Sequence, residues 1–389
     1  MHQRTAPWSI ASATLLLACV LAGLPVDAAK KTSEKAPSLA GARDWPVCRG
    51  DALATGISHT TLPARPSLLW KTDLKSGAIE ASSVIHGGVI YVGSLEGGLH
   101  AVDLATGEEK WKFPAELGFD APAAYRDGKV YVGDVDGMFY CIDASTGKKL
   151  WHHEAKGPID NSANFYKDNV LVGSQDATLY CLDATTGKLQ WKYETDDQIR
   201  CAPTVVGNRV FLAGCDGKLH IVDVDKGKAV DEVEIDGPTG TTAAASGDMV
   251  YFGTEGGTFY AINWKTAKVV WKFHDARAAQ PMRSAAAVTK NVLAFGSRSK
   301  RIYGLNPATG EKVWTLPVRG RVDSSPVVVG DRLFIGADDG RLYALKLATG
   351  KKSWEYELGG SVSASPAIAA GRLVIGNDKG VLYCFGKKE

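Results

Sequence analysis

Residues 140–151 read YCIDASTGKKLW, and residues 180–191 read YCLDATTGKLQW. The phrase returns as HAVDLATGEEKW (100–111), HIVDVDKGKAVD (220–231), YAINWKTAKVVW (260–271), YGLNPATGEKVW (303–314) and YALKLATGKKSW (343–354), and a shortened copy, YCFGKKE, ends the chain. Its last position defines a slot held by Trp70, Trp111, Trp151, Trp191, Asp231, Trp271, Trp314 and Trp354, at steps of 40 or 41 residues and one of 43. A fixed period of that size marks a repeat architecture and overrides any domain count based on length.

Each unit resolves into four short strands. In the second, FDAPAAY precedes the turn Arg126-Asp127-Gly128, KVYVG precedes Asp136-Gly137, MFYCID precedes Ser145-Thr146-Gly147, and KKLWHHE completes the unit. Alternating apolar residues between glycine-containing turns predict antiparallel hairpins, and four strands per roughly 40 residues predict propeller blades. A solenoid fits less well, because no polar capping repeat is apparent. The expectation is an all-β, eight-bladed β-propeller of four-stranded antiparallel blades. The last unit has no slot strand of its own, so LLWKTDL (68–74) is expected to supply it beside GVLYCFG, closing the ring with N- and C-terminal strands in one blade and leaving few open edges.

The phrase Ala101–Trp111, A-x-D-x-x-T-G-x-x-x-W, resembles the tryptophan-docking motif of the pyrroloquinoline-quinone (PQQ)-like β-propeller repeat family. That resemblance covers residues 68 to 386 and implies a girdle in which the slot residues Trp70, Trp111, Trp151, Trp191, Trp271, Trp314 and Trp354 pack on the next blade. Trp45-Pro46-Val47-Cys48-Arg49-Gly50-Asp51 is similar to the W-P-x-F-R-G opening of bacterial members, with Cys48 in place of Phe. Arg49-Gly50-Asp51 reads as a chance string rather than an adhesion motif. Within the family the chain resembles the propeller subunit of the bacterial outer-membrane β-barrel assembly machinery, which implies a non-catalytic scaffold with cell-envelope proteins as partners.

The N-terminus reads as a targeting segment. Arg4, the apolar run Ile10–Leu24 and small residues up to Ala28 predict an export signal over 1–29, and a tether and leader then span 30–67 before the propeller at 68–389. Export places the protein in the periplasm or cell envelope. Leu16-Leu17-Ala18-Cys19 resembles a lipobox, and a lipid on Cys19 is the one route to a membrane that the sequence offers. A net charge of +2 supplies no concentrated basic surface for nucleic acid, and a closed ring is expected to be monomeric. No Cys-x-x-Cys occurs; Cys201 and Cys215 face one another across a predicted hairpin, with buried free thiols as the alternative.

Aligning the segments that open each unit gives one informative column: Glu80, Asp120, Asp160, Arg200, Gly240, Arg283, Asp323 and Ser363. First strands line a propeller's channel, so this column is expected to ring it. The ring reads either as a polar funnel able to take a hard cation or as compensating charge, Arg200 beside Asp160 and Arg283 beside Asp323. Catalysis with PQQ and calcium has little support, for there is no adjacent Cys-Cys pair and no first-strand Trp on which a quinone could stack. Motifs for nucleophilic, phosphate-binding or zinc chemistry are missing as well. His152 and His153 alternate faces and are read as surface residues. Two departures remain: Lys272–Arg283 is three residues longer than most of its equivalents, and Asp231 replaces a slot Trp.

Overall fold

The computed structural model describes residues 44–115 and 117–388. They form eight antiparallel four-stranded blades, one of which gains a fifth, two-residue strand. In chain order blade 1 spans Val84–Phe113, blade 2 Ala124–Glu154, blade 3 Asn164–Glu194, blade 4 Thr204–Glu234, blade 5 Ala244–His274, blade 6 Ala287–Pro317 and blade 7 Val327–Glu357. Blade 8 combines Ala367–Ala369, Arg372–Gly376 and Val381–Gly386 with Ser67–Asp73 as its outermost strand. Ser67 pairs with Gly386 and Asp73 with Val381, so hydrogen bonds between the two ends of the chain close the ring. The proposed targeting segment, the lipobox at Cys19 and the start of the tether lie outside the described residues.

Every blade carries a bulge immediately before the slot. In blade 2 the register jumps from Lys149 to Trp151, skipping Leu150, and in blade 8 it jumps from Leu68 to Trp70. A bulge re-aims the side chain beside it. Here it turns the indole onto the following blade. Trp70 Nε1 donates to Leu104 O at 3.1 Å, Trp111 Nε1 to Ala144 O at 3.0 Å, and Trp314 Nε1 to Leu347 O at 2.8 Å. Six of the seven slot rings, all but Trp354, lie on a turn glycine at positive φ. A Cβ on Gly107 would fall 2.7 Å from Trp70, and one on Gly187 2.6 Å from Trp151. Only glycine gives both that backbone and that room.

Asp231 is exposed, yet the blade 4–5 seam is not left bare. Trp264 of blade 5 reaches back across it, 5.7 Å from Phe211 between ring centroids, with Nε1 donating to Gly247 O at 3.1 Å. Blade 5 is also where Ala267 replaces the turn glycine. With no indole arriving from blade 4, that glycine has nothing to accommodate. Trp271→Ala is therefore expected to cost about 3–5 kcal/mol and Asp231→Ala to stay within about 0.5 kcal/mol, with Trp264→Ala between them. Urea unfolding of the three variants checks the order.

The leader belongs to the ring. Between Trp45 and Ser58 it visits the inner strand of every blade in sequence. Trp45 exchanges backbone bonds with Ile85 (2.7 and 2.8 Å), and Tyr125 N donates to Pro46 O at 2.6 Å. Ala52 O accepts from Asn164 Nδ2 at 3.0 Å and from Val205 N at 2.9 Å. Ala245 N reaches Leu53 O, Val288 N reaches Thr55 O and Val328 N reaches Gly56 O, at 2.8, 3.0 and 2.8 Å. Ser58 Oγ donates to Ile368 O at 2.6 Å in blade 8. The inner edges of eight short strands would otherwise face the channel with unpaired amides and carbonyls. The leader answers them and fills that end of the channel. Arg49-Gly50-Asp51 sits in this plug. Asp51 accepts from Leu53 N at 3.0 Å and Thr55 N at 3.1 Å, so its carboxylate holds a turn of the leader.

Candidate functional site

The charged column does not lie on strands. Its members fall four residues before the inner strands, which are only two or three residues long. They line the mouth opposite the leader. The residue before each member sets its position by wedging against the preceding blade. Cβ atoms placed on Gly93, Gly133, Gly173, Gly296, Gly336 and Gly376 would collide with Phe119, Ile159, Ile199, Val322, Val362 and Ile79. These glycines in the second strands let each knob seat, and the next residue is then held at the rim.

The rim is not one ring of alternating pairs. On blades 1 to 3 the charges of Glu80 and Asp160 both act on Asp120. Arg200 Nε lies 3.3 Å from Asp160 Oδ2, which also accepts from Gln175 Nε2 at 2.7 Å. Arg283 does not meet Asp323. It forks onto Glu255 at 2.7 and 3.2 Å, while Asp323 takes a bidentate bond from Arg298 at 2.6–3.0 Å. The partners come from turns between second and third strands, which project to the same rim. The first-strand column could not reveal them, although Glu255 and Arg298 are charged residues in otherwise small, polar turns. Ser363 completes the column, and Gly240 leaves blade 5 with no side chain there. Beside that gap opens a recess of about 350 Å³ lined by Asp160, Arg200, Cys215, Gly240, Glu255 and Arg283, among others.

Burial is the main cause that lifts the Asp120 carboxyl to about 6; the neighbouring Glu80 and Asp160 charges add to it and Arg200 opposes it. Asp160 is also raised, by burial against the pull of Arg200. Because Asp120 has its folded pKa above its ordinary value, the native state holds this proton more tightly than the unfolded chain does. Its ionisation costs stability above pH 6, and the cost fades as pH falls through 6 towards 4. Asp120→Asn is expected to gain about 1–2 kcal/mol at pH 8, after allowance for solvent screening, and nothing at pH 4. Urea unfolding at both pH values checks this, and an equal gain at each would place the effect in packing.

Two histidines that sequence reading passed over are buried in third strands, where other blades carry Tyr. Ser94 Oγ lies 3.0 Å from His100 Nε2, and His100 Nδ1 lies 2.6 Å from Glu109 Oε2. The order matches a nucleophile–base–acid relay, but Ser94 is sealed from solvent and also bonds Gly98 O. The group stands where Tyr140 bonds Asp134 and Tyr180 bonds Asp176 in other blades, and it holds the turn. The described cysteines are free thiols. Burial pushes Cys201 up to about 12 and Cys215 to about 11, so neither is a ready nucleophile.

The recess does not fit a calcium-held quinone. None of the residues lining it is aromatic, so no ring is there to stack a planar cofactor, and among the described residues no group of three His, Cys, Asp or Glu is arranged to hold a metal ion.

The family model described as outer membrane protein assembly factor BamB matches residues 63–164, 163–230 and 216–389. Among solved structures, BamB from Moraxella catarrhalis superposes with a TM-score of 0.71 at 18% identity, over 83% of this chain and 100% of that one. The computationally designed protein Ika8 gives 0.71 at 18% identity, over 84% and 100%. Quinohemoprotein alcohol dehydrogenase from Comamonas testosteroni gives 0.76 at 17% identity, over 90% and 82%. At these identities the structures share the fold with this chain and carry no further conclusion. No curated protein matches by sequence.

Proposed function

We propose, from the premise that the chain belongs to the family described as outer membrane protein assembly factor BamB, that it is an exported, non-catalytic scaffold that binds envelope proteins during outer-membrane protein assembly. The observation that carries this reading is the family match, whose three overlapping segments together cover residues 63–389. A ring sealed by its own termini and plugged by its own leader is a rigid platform whose turns are free to meet partners. The expected site of action is the periplasm, with Cys19 as the point of attachment if the leader is lipidated.

A direct binding assay tests the proposal. The mature protein should bind the periplasmic part of the barrel-assembly machinery of its own cell, and a strain lacking it should show reduced levels of folded outer-membrane barrels. Failure of both would remove the assembly role.

A second reading, a PQQ-dependent oxidoreductase or a small-ligand or cation binder, rests on the carboxylates gathered at Glu80, Asp120 and Asp160. PQQ with calcium is then expected to raise the melting temperature saturably, because a ligand that binds only the folded state stabilises it. The triple variant Glu80→Ala, Asp120→Ala, Asp160→Ala should abolish that rise. On the scaffold reading neither chain responds, and both keep the partner.

A further inference from the structure

The leader carries one buried charge, Arg49, that the Asp51 carboxylate favours from a distance but that no carboxylate among the described residues pairs with. Arg49 is 3% exposed. Its Nη2 donates to Ala286 O at 3.1 Å and to Pro326 O at 2.6 Å, on the inner faces of blades 6 and 7. Nε and Nη1 are enclosed and meet no hydrogen-bond partner among the described residues. The nearest carboxylate along the chain, Asp51, is turned back onto Leu53 N, Thr55 N and Thr55 Oγ1. The adjacent Cys48 supplies no thiolate, since burial raises its pKa. Desolvation brings Arg49 down only to about 10, so it is a cation at neutral pH.

The fold goes out of its way to keep this group where it is. Arg49 has φ +65°, a left-handed backbone that non-glycine residues seldom adopt. Gly56 makes the room, for a Cβ there would lie 2.0 Å from Arg49 Nη2. Ser83, at the position in blade 1 equivalent to Ala286 and Pro326, is 3% exposed and its hydroxyl is also without a partner. Two orphaned polar groups thus stand at one level of the channel. A water molecule would satisfy their hydrogen bonds but not the charge, and buried charges are as a rule paired. The carboxylates of the open mouth cannot serve. They stand three residues further along the inner segments, about 10 Å away at the rise of an extended chain.

We propose that Arg49 is the seat of a small monovalent inorganic anion, halide-sized, held by Nε and Nη1 and closed in by the leader. It enters from the mouth where Arg200 and Arg283 flank the gap at Gly240. The site is independent of whether the outer surface binds envelope proteins.

Crystals of the mature protein grown with bromide in place of chloride are expected to show an anomalous peak within hydrogen-bond distance of Arg49 Nε or Nη1. In solution, exchanging gluconate for bromide at constant ionic strength should raise the melting temperature of the wild-type chain saturably, by a few degrees. Arg49→Gln should lose that response, and Arg49→Lys should keep part of it. If neither variant folds, the wild-type titration and the anomalous map decide alone. Water without an anomalous signal at saturating bromide overturns the proposal. So does a peak in the crystal with no stabilisation in solution, which would be an adventitious ion only. An equal halide response in wild type and Arg49→Gln would overturn it as well.

Discussion

A chain that begins at residue 59 is expected to lose most of its stability relative to one that begins at residue 39, although the four antiparallel strands of every blade are retained and only the two-residue strand Ile57–Ser58 is lost. The deleted stretch contains Trp45, 3% exposed and packed in the core that joins blades 1, 7 and 8. Truncating that side chain alone should cost about 3–5 kcal/mol. The backbone loss is larger in kind. Removing Trp45 to Ser58 leaves the amides of Ile85, Tyr125, Val205, Ala245, Val288 and Val328 without their acceptors. An unmade bond at a buried donor costs about 1–3 kcal/mol, but these edges would face a channel that water can now enter, so the sum falls well short of six such penalties. Even so, the loss approaches the whole stability of a typical domain, about 5–15 kcal/mol. Thermal unfolding of the two chains, with Trp45→Ala as an intermediate, measures it. A deletion that moved the melting temperature by only a degree or two would mean that the eight blades hold their inner edges unaided.

This dependence follows from blade geometry. The inner strands are two or three residues long, and each pairs with its own second strand through only two or three residue pairs. Alone, such an edge frays. By linking all eight edges in one excursion, the leader couples blades that otherwise touch only their immediate neighbours. That coupling distinguishes this ring from an open repeat array, whose stability is a sum over adjacent units.

The blade number, the four-strand unit and the closure were legible because each is written in side chains at a fixed period. The leader's course was not, because its links are mostly backbone carbonyls, and no periodicity of residue type announces where a carbonyl points. Trp45 to Asp51 could be recognised as an opening phrase without any sign that it threads the ring. The rim was half legible. Aligning the column found Asp160 beside Arg200, but the partners of Arg283 and Asp323 come from turns that were not in the alignment. The blade 4–5 seam was legible in principle: Asp231 lacks the indole, Ala267 lacks the glycine it would cover, and Trp264 is the one indole outside the slots in that blade. Read separately, these look like drift, whereas read across the seam they are one exchange of packing partners.

Truncation after Gly380 is expected to have the largest effect of all. It removes Val381–Gly386, the strand between Arg372–Gly376 and Ser67–Asp73, and so strips blade 8 of the only connection between its two halves. Leu382, Cys384 and Phe385 are fully buried, and Phe385 also meets Trp354 and Tyr356 of blade 7 at 5.7 and 4.8 Å. Losing one such aromatic costs about 3–5 kcal/mol; losing the strand adds two ladders of hydrogen bonds and leaves two long edges open to other chains. The ring then has no means of closing, and the expected product is aggregated or partly folded protein. Size-exclusion chromatography and near-ultraviolet circular dichroism would detect either. Because the missing piece is a single strand with both neighbours in place, a synthetic peptide spanning residues 379–388 should restore the folded monomer by strand addition. Rescue by that peptide, and not by one with Leu382 and Phe385 changed to Ser, ties the defect to the closure itself. A truncated chain that remained a compact monomer without peptide would show that the other seven blades and the leader suffice to hold the circle.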